Sequence, residues 1–267
     1  MTSVSRSFTP LHRIVRAVYS ALCLMLFATG TQAAIYREAL VPAYFYPSPN
    51  STAWHSLNLL AKQMPTTAIM NPNSGPGTRL DPNYVTAIER LHVAGGKVIA
   101  YVSTSYGNRR LSDVTKDINT YLAFYKVDGF FIDEMTNDSS RAHLQYYQSL
   151  YNYVKALSPT YTVTGNPGTN VPEQYATLPL ADKFVVFEDS LQNFKRYVAP
   201  AWMARHPASR FASIVHTSPR TQMAVVMKLN STRGIAGLFV TSLGMPDPYF
   251  KLPARWGADV SQAVSLQ

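Results

Sequence analysis

From Ala39 onward the chain repeats one rhythm: a short apolar or β-branched run, then a stretch of helical period. The apolar runs are 39–47, 67–73, 97–104, 127–135, 161–168, 183–189, 210–218 and 234–242. Helical stretches lie between them at 52–63, 82–94, 111–125, 139–157, 172–178, 190–204 and 220–232. Near-continuous apolar strands joined by helical crossovers predict a parallel sheet covered by helices. Eight such units in one chain of 267 residues predict the α/β class, as a single (β/α)8 TIM barrel. A doubly wound nucleotide-binding sheet is disfavoured, because PSPNSTAW stands after the first strand where a GxGxxG turn would be needed. Asp81-Pro82 reads as a helix start, Ser112-Asp113 lies near the next, and Gly95-Gly96 reads as a stop.

The rhythm begins only after a different kind of segment. Arg6 and Arg13 precede an apolar stretch, AVYSALCLMLFATG (17–30), which is followed by Thr31-Gln32-Ala33. A basic lead, a short apolar core and a small-x-small site predict a signal peptide over 1–33. The apolar stretch is short for a membrane span, which needs about 20 residues. The expectation is therefore a secreted or periplasmic domain over 34–267, with no stable membrane insertion after cleavage. Leu22 before Cys23 is a poor fit to a lipoprotein cleavage site. Cys23 is the one cysteine, so residues 34–267 must be stable without disulfides. The formal charge is +9, and removing three arginines with the leader leaves a mildly basic domain. No run of five or more basic residues and no nucleic-acid-binding signature occurs, which excludes nucleic acid as the expected partner. The chain reads as a monomer without a cofactor.

In such a barrel, chemistry belongs at the C-terminal ends of the strands. Those ends carry Tyr44 and Tyr46, Asn71 and Asn73, Ser103 and Tyr106, Asp133 and Glu134, Asn166, Glu188 and Asp189, and His216. The stretch VDGFFIDEM places two acids at the end of an apolar run, where desolvating them is costly. Alternation puts Gly129, Phe131 and Asp133 on one face, with Phe130 and Phe131 as scaffold. Amides, hydroxyls and aromatic faces around a cleft suit a sugar, and carboxyls from two strands suit cleavage of a glycosidic bond. Asp133, Glu188 and Glu134 are the catalytic candidates. Tyr44, Tyr46, Asn71, Asn73, Tyr106, Asn166 and His216 are the candidate substrate-binding residues.

Plainer roles compete with each of these. A single rim acid can cap a helix or pair with an arginine; Asn, Pro and Gly at 71–77 can form a rigid turn. Tyr44 and Tyr46, two positions apart, can fill the core, and His216 can orient or pack. Arg109 and Arg110 read as solvated loop charges. No HxxxH or HxH pair occurs, so no metal site is expected. A non-catalytic polysaccharide-binding barrel is one alternative. A deacetylase or esterase is another, with Ser103 and His216 but no GxSxG elbow.

The segments VPAYFYPSPNSTAW, IMNPNSGPG, KVIAYVSTSYGNR, VDGFFIDEM, VTGNPGTNVPE and VVFEDS occur in this order over roughly 40–245. Together they resemble the spherulation-specific family 4, or spherulin-4-like, proteins. The resemblance implies a (β/α)8 glycoside hydrolase, endo-acting on an α-1,4-linked galactosaminogalactan-like exopolysaccharide and cutting at N-acetylgalactosamine. It also implies that Asp133, Glu134 and Glu188 match the family's acidic trio. Two mechanisms stay open. Asp133 is the nucleophile and Glu188 the general acid/base, or Glu134 protonates the leaving group while Asp133 steadies the substrate's acetamido group.

Overall fold

The computed structural model describes residues 38–253 and 255–265. The expected signal peptide, 1–33, lies outside the described residues. Eight strands form a closed barrel in chain order: β1 Glu38–Ala43, β2 Thr66–Met70, β3 Lys97–Ser103, β4 Gly129–Asp133, β5 Thr162–Gly165, β6 Lys183–Ser190, β7 Phe211–His216 and β8 Gly237–Val240. Every neighbouring pair is parallel. The helices are α1 Thr52–Ala61, α2 Pro82–Val93, α3 Leu111–Phe124, α4 Arg141–Leu157, α5 Gln174–Thr177, α6 Leu191–Arg196, α7 Met223–Thr232 and α8 Trp256–Ser265.

The burial pattern explains the apolar runs. Every residue of β2 and of β7 is buried, as strands must be when barrel filling covers one face and helices the other. The helices bury single stripes: Val114, Ile118 and Tyr121 on α3, and Tyr147, Leu150 and Val154 on α4. At the N-terminal end, the Lys183 ammonium pairs with Glu38 across the barrel, and Thr67 Oγ1 donates to Glu38 at 2.5 Å. Three strands are joined there by one half-buried ion pair and one hydrogen bond.

Local signals hold where expected. Asp81 caps α2 by accepting the Asn83 N–H at 2.8 Å, with Pro82 in the first turn. The Gly96 N–H returns to the Leu91 carbonyl at 2.9 Å and closes the helix. Differences lie at the edges. β1 stops at Ala43, so strand alternation does not extend to Tyr44 and Tyr46. The stretch 190–204 is not one helix: α6 ends at Arg196, and a 3-10 turn resumes at Ala201. Pro200 is the cause, since its ring disfavours helical backbone at the residue before it. Helix α8 was not anticipated; buried Trp256 seats it by donating Nε1–H to the Val240 carbonyl at 2.7 Å.

Gly129 starts β4 at φ +154, and a Cβ there would collide with the Thr162 backbone on β5. Gly129→Ala should force β4 and β5 apart and cost about 3 kcal/mol or more. Thermal melting and soluble yield would measure the loss, and an unchanged midpoint would refute this packing.

Candidate active site

The C-terminal rim holds an open cleft of about 740 Å3. Its lining includes Tyr44, Asn71, Asn73, Tyr106, Asp133, Glu134, Asn166, Glu188 and His216. Nine of the ten residues singled out from sequence are thus gathered in one place. Tyr46 is the exception. It is 53% exposed, and its hydroxyl donates to Asp81 Oδ2 at 2.9 Å and accepts from Asn83 Nδ2 at 2.7 Å. The end of β1 at Ala43 releases it from the face expected for it, and it braces the start of α2 instead.

Two carboxylates meet at the floor. Asp133 ends β4, Glu188 lies near the end of β6, and the Asn166 amide just beyond β5 sits between them. Asn166 Nδ2 donates to Asp133 Oδ1 at 2.7 Å and to Glu188 Oε2 at 2.7 Å. The two acceptor oxygens therefore lie within twice 2.7 Å of each other. The other Glu188 oxygen accepts from the Tyr249 hydroxyl at 2.6 Å. Burial pushes the Asp133 carboxyl up to about 6, and the neighbouring Glu188 carboxylate adds to the rise. The facing Tyr101 hydroxyl, the Asn166 amide and the Glu134 backbone N–H oppose that rise. Burial and the same carboxylates keep Tyr44, Tyr101 and Tyr249 protonated far above the usual phenol range, so they remain donors.

Glu134 is presented differently. Its backbone takes φ +51, and its Oε2 accepts from Ser103 Oγ at 2.5 Å. Its carbonyl accepts the Tyr106 N–H at 2.7 Å, and Tyr106 itself sits at φ +55 and is 57% exposed. Left-handed backbone in side-chain-bearing residues on both sides of the Ser103–Glu134 contact is strain of the kind found at functional sites. Thr104 braces the turn by donating Oγ1–H toward the Asp133 and Glu134 carbonyls at 3.0 and 2.9 Å.

The remaining candidates are more constrained than the sequence implies. Asn71 Oδ1 accepts the Gly75 N–H at 3.0 Å, so this loop is a rigid turn as well as part of the rim. Both amide hydrogens of Asn166 are committed to carboxylates, which leaves it no free donor for a sugar. His216 is 8% exposed and bonds Thr217 Oγ1 at 2.9 Å; burial holds its pKa below the usual imidazole value. With Ser103 on Glu134 and His216 on Thr217, no Ser–His pair is assembled. Arg109 is not simply solvated: it donates to the Ser103 carbonyl and to Asp117, both at 2.8 Å, and steadies the end of β3.

Three contributors escaped sequence reading. Tyr101 lies inside the apolar run of β3, two positions before Ser103 on the same face, and alternation from Ser103 could have found it. Tyr249 and Asp247 belong to the loop after β8, the one strand end read as carrying no polar group. Among the described residues, the cleft lining includes four carboxylates (Asp133, Glu134, Glu188 and Asp247) and no lysine or arginine. Among them, too, no group of three or more His, Cys, Asp or Glu side chains is placed to hold a metal ion.

The raised Asp133 carboxyl has a stability consequence. Its folded value of about 6 lies above the ordinary 3.8, so the fold loses stability as pH rises from about 4 to about 6. Asp133→Asn lacks that loss. Its unfolding free energy should gain on the wild type by about 2 to 3 kcal/mol between pH 4 and pH 7. Parallel denaturant titrations would measure this, and a gap that does not change with pH would contradict it.

Comparison with known proteins places this geometry. The model of the spherulation-specific family 4 matches residues 38–263. Spherulin-4 of Physarum polycephalum is 34% identical over 216 residues, which is 76% of this chain and 63% of that protein's length. Among solved structures, Aspergillus clavatus Sph3 in complex with GalNAc superposes with a TM-score of 0.75 at 27% identity, covering 86% of this chain and 98% of that one. A GH18 chitinase from Pseudoalteromonas aurantia shares the fold, with a TM-score of 0.54 at 13% identity over 85% of this chain and 99% of that one. The barrel is thus of a kind found in polysaccharide-acting glycoside hydrolases, and by the extent of the sequence match the chain belongs to the spherulation-specific family 4.

Proposed function

We propose that the protein is a secreted or periplasmic endo-acting glycoside hydrolase that cleaves an N-acetylgalactosamine-containing exopolysaccharide at α-1,4 linkages. The observation that carries the reading is the pair of carboxylates on one amide. In glycosidases with two carboxylates, a spacing of about 5 to 5.5 Å goes with retention, and about 6.5 to 9.5 Å with inversion. Asn166 brings one oxygen of Asp133 and one of Glu188 within twice 2.7 Å of each other, which supports the retaining arrangement. The substrate class is drawn from the related Sph3, whose structure holds GalNAc. A cleft with four carboxylates and no lysine or arginine among the described lining suits a neutral or amine-bearing glycan and disfavours an anionic one, despite the chain's net charge of +9.

Stereochemistry then selects between the two mechanisms. In an α-galactosaminide the leaving oxygen and the 2-acetamido group lie on the same side of the ring. The acetamido oxygen cannot reach the anomeric carbon from the opposite side, which disfavours substrate assistance and leaves the protein carboxylate as the nucleophile of the two mechanisms. Asp133 takes that role. It is short and anchored at a strand end, and the Tyr101 hydroxyl, the Asn166 amide and the Glu134 N–H partly offset the burial that raises it to about 6. Its carboxylate bonds to the anomeric carbon as the bond to the leaving oxygen breaks, and Glu188 gives that oxygen its proton. Glu188 then takes a proton from water, which attacks the same carbon and frees Asp133. Glu134, steadied by Ser103, accepts hydrogen bonds from the sugar at the rim, and Tyr106 offers an exposed aromatic face.

The test is product analysis by mass spectrometry on partly acetylated galactosaminogalactan and related amino-sugar polymers. The wild type should release oligosaccharides, while Asp133→Asn and Glu188→Gln release none and keep their fold. Binding without cleavage by the wild type would favour a non-catalytic barrel. Because Asp133 must be ionised to attack, kcat/KM should fall about tenfold per pH unit below about pH 6. If Asp133 were the acid, activity would instead fall as pH rises through that value.

A further inference from the structure

Asn166 stands out among the buried polar groups of the cleft. It is 7% exposed, its two amide hydrogens go to two different carboxylates, and its Oδ1 is buried without a hydrogen-bond partner among the described residues. A buried amide oxygen left unpaired is costly, and such groups call for an explanation. Rotating the amide would give that oxygen a new environment, but it would point a lone pair at two carboxylates. The observed orientation is the one that serves the acids rather than the amide.

The backbone around it is arranged to the same end. Asn166 N–H donates to the Ile132 carbonyl at 2.8 Å, and the Asn166 carbonyl accepts the Met135 N–H at 3.0 Å. These bonds straddle Asp133 on its own chain segment. Two residues on, the Gly168 carbonyl accepts the Glu188 N–H at 2.8 Å. Gly168 sits at φ +63, and a Cβ there would lie 3.5 Å from Glu188 Cβ and 3.8 Å from Asn166 Oδ1. The segment 166–168 thus bonds by main chain to the residues flanking Asp133 and to Glu188 itself, and to both acids by a single side chain.

We infer that Asn166 is a positioning residue: with the Asn-Pro-Gly segment it sets the separation of Asp133 and Glu188, and it does not bind the sugar. The role rests on the glycosidase reading above for its kinetic readout but not for its spectroscopic one. Mutual repulsion would otherwise drive the two acids apart or hold a proton on one of them. Donation from the shared NH2 group favours the ionised form of Asp133 and fixes where the two acids stand.

The experiment compares wild type, Asn166→Ala and the isosteric Asn166→Asp, each checked for an intact melt and near-ultraviolet dichroism. In kinetics on the cleaved polymer, Asn166→Ala should lower kcat about 100-fold with KM within about twofold, the signature of misplaced groups rather than lost binding. Its acidic limb should move up by about one pH unit, because a donor to the ionised carboxylates is gone. Titration of 13C-carboxyl-labelled aspartate by NMR should show Asp133 moving the same way in Asn166→Ala, and further in Asn166→Asp, whether or not any polymer is cleaved. A rise in KM with kcat preserved would make Asn166 a sugar-binding residue and overturn the inference. An unmoved Asp133 titration in a folded variant would overturn it as well. Wild-type inactivity alongside the expected NMR shift would count against the glycosidase reading and leave the positioning role standing.

Discussion

Two carboxyl groups with facing oxygens within twice 2.7 Å of one another in a partly desolvated cleft are the constraint around which the rim is organised. Burial, and after it repulsion from Glu188, favour protonating Asp133 and raise it to about 6. Donors resist it. The Asn166 amide serves both carboxylates, and Tyr249 takes the far oxygen of Glu188. Aromatic edges brace the hydroxyls from behind, with Tyr44 edge-on to both Tyr101 and Tyr249 at 5.7 Å between ring centres. A pair that no group held would relax; this pair has been given fixed partners.

The barrel supplies what local structure alone could not. Asp133 and Glu188 come from β4 and β6, and β5 lies between them by the order of closure. The residue at the end of β5 is thereby the natural bridge, and an amide is the side chain that can donate in two directions at once. Fixed strand ends also hold the acids more precisely than a mobile loop could. Phe131, buried beneath Asp133, stacks on Tyr101 at 6.5 Å, so the apolar filling and the polar rim are parts of one packed column. The strained turn at Glu134 is tolerable because Thr104 and the Tyr106 N–H secure its carbonyl.

The barrel was legible in the sequence because its signal repeats: apolar runs of β1 to β8 alternate with helical stretches, and each of the eight runs overlaps the strand found there, β1, β2 and β6 extending one residue beyond it. The rim was legible for the same reason, since polar residues interrupt every run but the last near its C-terminal end. What failed depended on irregular or distant structure. Tyr46 was placed at the rim as the end of the first apolar run, but β1 already stops at Ala43. The break before Pro200 was a local signal overlooked, because apolar spacing on both sides suggested one helix. Tyr249 stands 61 residues from Glu188, and nothing in MPDPY announces a partner for a carboxylate. The role of Asn166 needed both partners' positions. Composition suggests an amide for a sugar, whereas geometry assigns its hydrogens to the acids.

The central claim is that two carboxylates at short spacing act in a double displacement. The measurement that tests it most directly is the anomeric configuration of the first-formed product, followed by proton NMR before mutarotation. Oligosaccharides that appear first with the α configuration at the new reducing end would agree with attack by Asp133 and a glycosyl-enzyme intermediate. First appearance of the β anomer would mean that water attacks the bond in a single displacement, and the proposed roles of Asp133 and Glu188 would be wrong.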